Sequence, residues 1–233
     1  MADALASCRA DLVICARNLD RCETAAAEIR EAHGVRVVAV ACDVRREADV
    51  DRVVSRAVDE FGRIDILVNN SGTSWGAPAV DYPLEGWQKV IDVNLTGSFL
   101  MAQRVGRVLI EQGEGGKIIN VSSVLALRGS PAEAVSAVAY NASKGGLISM
   151  TTDLAVAWGK HRICVNAIAP GWFPTEMSSS VLDASGEGFL SRIPLGRFGG
   201  DHDLKGAVVF LASAASDYVT GHTLAVEGGH LAA

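Results

Sequence analysis

No apolar run in the chain reaches the length needed to cross a membrane, and Asp3 and Arg9 interrupt any charged-then-apolar leader at its start. No membrane span and no secretion signal is evident, so we expect a cytoplasmic protein with no membrane partner. Positive charge is in deficit: 21 Lys and Arg stand against 27 Asp and Glu, a net charge of −6 that gives no electrostatic reason to expect nucleic acid. Cysteine is sparse and odd in number (Cys8, Cys15, Cys22, Cys42, Cys164) and has no metal-like spacing. Free thiols in a reducing compartment are expected. The five histidines (His33, His161, His202, His222, His230) are scattered without ligand spacing, so no metal is expected. Aromatics make up only 6%. The most consequential absence is local. The chain holds 24 glycines, yet none precedes Gly34.

What remains is ample for a core. Of 233 residues, 49% are hydrophobic and 21% charged, which argues against disorder. Short β-rich runs alternate with helical stretches. Asp11–Ala16 (DLVICA), Val35–Ala41, Ile64–Val68, Lys117–Val121, Ile163–Ile168 and Thr223–Val226 read as strands. Leu19–Ala32, Glu47–Phe61, Trp87–Ile110, Tyr140–Lys160 and Asp203–Ala212 read as helices, with Gly34 ending the first. This alternation predicts an α/β fold, a doubly wound parallel sheet with helices on both faces. No repeat, charge block or linker divides it, so residues 1–233 form one domain in this reading. Pro170–Gly200 is too long for a simple connection and is expected to act as a lid over a substrate.

Tyr140 and Lys144 lie four apart, on one face of a helix. A free phenol ionises near pH 10, and an adjacent ammonium lowers that value, so the pair can exchange protons with a substrate. Alone such a pair is a weak signal. Its surroundings strengthen it. The strand KIINV ends at Ser122 and Ser123, and other strands end at Asn69-Asn70-Ser71-Gly72 and at Asp43. Ligands bind at those C-terminal strand ends in open α/β sheets. Asn94 sits mid-helix, a poor position unless its side chain has another use.

Taken together, Asp43-Val44, the NNSG of 69–72, Asn94, Ser122-Ser123, YNASK at 140–144 and PGWFPT at 170–175 resemble the short-chain dehydrogenase/reductase family, over essentially the whole chain. The similarity extends to its β-ketoacyl reductase-like and gluconate 5-dehydrogenase-like members. The resemblance implies a Rossmann-type fold and hydride transfer between NADP(H) or NAD(H) and a carbonyl or secondary alcohol, 3-oxoacyl-type or similar. It assigns Tyr140 as acid/base, Lys144 as its partner and ribose ligand, Ser123 as the group that orients the substrate oxygen, and Asn94 as the holder of a relay water. It places Asp43 and Val44 beside the adenine, with Asn70, Ser71 and Gly72 along the cofactor groove. Pro170, Gly171, Phe173 and Thr175 would surround the nicotinamide. It also implies a homodimer or homotetramer built on the long helices and the terminal VTGHTLAVEGG segment.

Cofactor choice follows from charge. The strand before Arg17 and Asn18 ends without the carboxylate that would hold an NAD ribose, and Arg17 suits a 2′-phosphate, so NADP(H) is expected over NAD(H). Trp172, Phe173, Met177, Phe189 and Leu190 make the lid apolar, favouring a hydrophobic or acyl substrate.

Three departures from the family pattern stand out. RGSPAEAVSAV adds residues between Ser123 and Tyr140, beside the substrate, and Ser71 replaces an alanine. Third, the first strand and its glycine-rich phosphate loop are absent from the sequence, which opens with what resembles the end of the first helix. We expect the reading frame to continue upstream of Met1. As written, either DLVICA pairs directly with ILVNN, or the gap between them is filled by another chain or left disordered. Two functions compete at this stage: the oxidoreductase, and a cofactor-impaired non-catalytic relative that binds a small molecule or a partner. A purely structural subunit has no positive signal.

Overall fold

The structure, a computed structural model, describes residues 1–130, 136–175, 178–179, 182 and 188–233. Met177 and much of the added segment RGSPAEAVSAV lie outside the described residues. The elements run α1 (Ala2–Ser7), β1 (Leu12–Ala16), α2 (Leu19–His33), β2 (Val37–Ala41), α3 (Glu47–Phe61), β3 (Ile66–Asn69), α4 (Leu84–Ile91), a π turn (Asp92–Thr96), α5 (Gly97–Gln112), β4 (Gly116–Val121), α6 (Val138–Trp158), β5 (Ile163–Pro170), α7 (Lys205–Ala212) and β6 (Thr223–Val226). The α/β alternation is as expected, and α2 closes on Gly34 in the left-handed region (φ 66°).

All strand pairings are parallel, but they fall into two sets: β1 with β2, and β3-β4-β5-β6. The direct pairing of DLVICA with ILVNN does not form. Leu12 N–H donates to Arg36 and Ala16 C=O accepts from Cys42, so the backbone groups of Val13 and Cys15 point away from β2. Lys117 N–H donates to Asp65 C=O, which turns the backbone groups of Ile66 and Val68 away from β4. Both sets of groups lie on unpaired edges. The reason is side-chain packing. Val13 and Cys15 are already seated against a core that includes Val40, Val50, Leu67 and Leu100, while Leu12, Ile66 and Val68 pack with Leu5 of α1 and Leu211 of α7. Helices on both faces hold each strand where it is, so sliding β1 across would unseat both clusters.

The expected helix Trp87–Ile110 is in fact three pieces. It begins earlier, at Leu84, and ends at Gln112, and the π turn interrupts it around Asn94. Single π turns of this kind are common at functional sites. Gly97 begins α5 where a Cβ would meet Val44 Cγ2 at 2.6 Å, so glycine lets this helix start against the end of β2. Asp203 and Leu204 precede α7 rather than opening it.

Candidate active site

β4 and β5 are buried along almost their whole lengths, and the polar side chains on them are satisfied internally. Asn69 Nδ2 donates to Asn120 Oδ1 (2.9 Å), Asn120 Nδ2 donates to Thr151 Oγ1 (2.9 Å), and Thr151 donates to Leu147 C=O (2.7 Å). This buried chain of hydrogen bonds ties β3 and β4 to α6, and so fixes the helix that carries Tyr140 and Lys144. Ser122 Oγ adds a second tie, donating to Lys144 C=O (2.8 Å). Sequence reasoning named neither Asn120 nor Thr151. Asn120 reads as one polar residue in an apolar strand, and its partners are 51 and 31 positions distant.

A cavity of about 290 Å³ opens at the C-terminal ends of β3, β4 and β5. Ser123, Tyr140 and Lys144 converge in it. Asn70 and Gly72 line it after β3, and Pro170, Gly171, Phe173 and Thr175 after β5. Val124, Leu125, Ala137, Trp172 and Leu204 add apolar wall, Ser130 adds a hydroxyl, and Met1 also lines the cavity. Trp172 stacks on Phe189 with ring centroids 4.2 Å apart.

Lys144 is only 4% exposed, and its Nζ donates to Val121 C=O (2.7 Å). Burial lowers its pKa to about 8. Its Nζ stands 5.7 Å from the centroid of the Tyr140 ring. Burial pushes the Tyr140 phenol above its ordinary value, while a hydrogen bond with Ser123 opposes the rise. Desolvation governs the phenol, and the downward pull expected from Lys144 is not among the influences on it. Ser123 also accepts from Leu125 N–H (3.2 Å), which orients its hydroxyl.

Asn94 is fully buried but does not line the cavity. It braces the wall instead. Thr73 N–H donates to Asn94 Oδ1 (2.8 Å), and Asn94 Nδ2 donates to Thr73 C=O (3.0 Å) and to Ser143 Oγ (2.9 Å). Ser143 in turn donates to Tyr140 C=O (2.7 Å). Asn94 thus clamps the segment after β3 onto the turn of α6 that bears Tyr140. Thr73 and Ser143, both missed in the sequence, are its partners.

The remaining predicted residues gather elsewhere. Arg17 and Asn18 follow β1, and Asp43 and Val44 follow β2, outside the cavity. Asn18 caps α2, accepting from Arg21 N–H (3.0 Å). Asp43 forms an ion pair with Arg45 (2.5 Å) and holds its carboxyl at about 2, chiefly through that hydrogen bond. Ser71 is exposed and does not line the cavity, although its neighbours Asn70 and Gly72 do. Among the described residues no group of His, Cys, Asp and Glu could hold a metal ion, and no helix is long and apolar enough to cross a membrane.

A parallel sheet with helices on both faces, and a Ser, Tyr and Lys at its C-terminal edge, define an NAD(P)-dependent oxidoreductase of the short-chain dehydrogenase/reductase family, and the chain belongs to that family. The family model described as enoyl-(acyl carrier protein) reductase matches residues 1–230. The chain is 42% identical over 201 residues to 2-dehydro-3-deoxy-D-gluconate 5-dehydrogenase of Escherichia coli (strain K12), covering 85% of this chain and 78% of that protein. It is 38% identical over 199 residues to a 3-oxoacyl-[acyl-carrier-protein] reductase of Synechocystis sp., covering 85% and 77% respectively. Among solved structures, a gluconate 5-dehydrogenase from Burkholderia cenocepacia J2315 in complex with NADP and tartrate superimposes with a TM-score of 0.93 at 37% identity, covering all of this chain and 89% of that one.

Proposed function

We propose that the chain interconverts a ketone and a secondary alcohol with NADP(H), using Tyr140 as the acid/base. The observation that carries this reading is the convergence of Ser123, Tyr140 and Lys144 on one cavity at the C-terminal edge of the sheet.

The residues present fit the cofactor at its two ends. Asn70, Gly72, Pro170, Gly171, Phe173 and Thr175 border the cavity where a nicotinamide would lie beside Tyr140 and Lys144. Arg17, Asn18, Asp43 and Val44 would form the adenosine end; β1 itself ends without a carboxylate that would favour the NAD ribose, and the Arg17 charge also bears on Asp43. The solved relative holding NADP supports that choice. When bound, NADP(H) supplies or accepts the hydride.

In reduction, Ser123 donates to the substrate carbonyl and holds it beside the phenol. The Tyr140 O–H bond breaks as its proton passes to the carbonyl oxygen, while the carbonyl carbon gains the hydride. The resulting phenolate is stabilised by the Lys144 ammonium and by Ser123. Oxidation runs the same steps backward. Lys144, lowered to about 8, loses charge as pH rises through that value, and stabilisation of the phenolate falls with it. Asn94 is a positioning residue acting through Thr73 and Ser143. Residues 170–200 act as the lid, with Trp172 and Phe189 stacked in it, and the assembly is a homodimer or homotetramer in the cytoplasm. NADPH oxidation with a panel of ketones tests the reading. Turnover lost in Tyr140→Phe supports it, and identical rates in both proteins sink it.

A second reading is favoured by one observation, the unpaired edges of β1 and β3. In that reading the cleft binds a small molecule without turnover. NADPH binding at micromolar concentration, measured by calorimetry, counts against it.

A further inference from the structure

The serine hydroxyls that line the cavity differ in what their neighbours leave free. A hydroxyl has one proton and two lone pairs. A fixed acceptor claims the proton, whereas a fixed donor occupies a lone pair and leaves the proton to point elsewhere. Ser122 donates to Lys144 C=O (2.8 Å) and Ser178 to Phe173 C=O (2.6 Å), so neither offers a proton to a ligand. Ser123 is held the other way. It accepts from Leu125 N–H (3.2 Å), which leaves its proton for the Tyr140 phenol and the reacting oxygen. Ser130 shares that arrangement, accepting from Asn141 Nδ2 (3.2 Å). Asn141 Oδ1 is buried and has no hydrogen-bond partner, so the Ser130 proton does not go to the amide. No acceptor for that proton stands among the described residues. Ser74 also lines the cavity but is exposed to solvent, whereas Ser130 is half-buried. Asn141 directly follows Tyr140 on α6, so the helix that carries the acid/base also sets this second donor.

From this, and resting on the oxidoreductase reading above, we propose that Ser130 is a specificity-determining residue that donates a hydrogen bond to a second oxygen of the substrate. Asn141 is the positioning residue that keeps the Ser130 proton turned toward the cavity. The substrate class is then a ketone with an additional neutral acceptor oxygen, such as a 3-oxo ester. Ser123 takes its reacting carbonyl and Ser130 its second oxygen. A plain alkyl ketone leaves the Ser130 proton unmet once water is displaced, and a hydrogen bond missing at such a wall weakens recognition about tenfold.

A matched pair isolates the second oxygen: methyl 3-oxobutanoate against 2-hexanone, which has the same chain length without the ester. The ratio of their kcat/KM values for NADPH-dependent reduction includes a difference in intrinsic reactivity that no variant alters, so the change in the ratio is what counts. Ser130→Ala should lower the ratio about tenfold, while Ser130→Thr, which keeps the hydroxyl, should retain it. Asn141→Asp sets an acceptor against Ser130, claims its proton and should lower the ratio as Ser130→Ala does. A purely structural role would slow both ketones alike and leave the ratio unmoved. Calorimetry with the same pair, on the chain alone and with saturating NADP+, reads the preference independently of turnover. A ratio unchanged in Ser130→Ala, or binding of neither ketone, overturns the proposal. If ester binding depends on Ser130 but neither ketone is reduced, the role of Ser130 stands and the oxidoreductase reading falls.

Discussion

The two strand sets differ in how they hold their functional residues. In β3-β4-β5-β6, the central strands are buried and their polar side chains are satisfied by internal hydrogen bonds between distant elements. In β1-β2, β1 is nowhere fully buried, and the charged residues near the pair form exposed ion pairs such as Asp11–Arg36 and Asp43–Arg45. In the function proposed above, proton transfer belongs to the first set and recognition of the adenosine end to the second. The difference teaches that Ser123, Tyr140 and Lys144 are held in place by burial, whereas the proposed adenosine end rests on side chains that solvent screens.

The largest test of this division is Tyr140→Phe, which should lower kcat by about 1,000-fold and leave the NADPH dissociation constant nearly unchanged. Equal loss in binding would mean that the two halves are not separable. Next is a stability contrast read by urea unfolding. Asn120→Ala removes two buried hydrogen bonds, one from Asn69 and one to Thr151, and should cost about 2–3 kcal/mol. Asp11→Ala removes an exposed ion pair on the other set and should cost less than about 1 kcal/mol. Comparable costs would erase the distinction.

A smaller effect is expected from Arg17→Ala: about tenfold weaker NADPH binding with NADH binding unaffected. Equal weakening of both would remove the 2′-phosphate from the account. The smallest concerns pH. Lys144 titrates at about 8 in the folded protein and at its ordinary value of 10.5 when unfolded. Between those values the unfolded chain binds more protons, so stability rises with pH, by ~1 kcal/mol between about pH 8 and pH 9. The Lys144→Met protein should lack this rise, and an unchanged slope would show that Lys144 does not titrate in the interior.

Much of the architecture was legible locally. Period-two and period-3.6 patterns located β1 to β6 and the helices within a few residues, because each element buries its own apolar face. Tyr140, Lys144, Ser123 and the ends of β3 and β5 were also readable, since a helical spacing of four and a strand end are local facts. The π turn at Asn94 was not, because it depends on Thr73 and Ser143, 21 and 49 positions away. Nor was the isolation of Ser71 from the cavity, since one exposed residue between two lining ones shows no sequence period.

By itself, then, the sequence determined the alternation of strands and helices and the Tyr140–Lys144 pair, both of which follow from residue type and short spacing. Only the tertiary structure decided that β1 stays with β2 rather than crossing to β3, because that choice rests on helices seated against both strand faces. It alone brought Ser123, Tyr140 and Lys144 to one cavity, since their encounter depends on where β4 ends against α6.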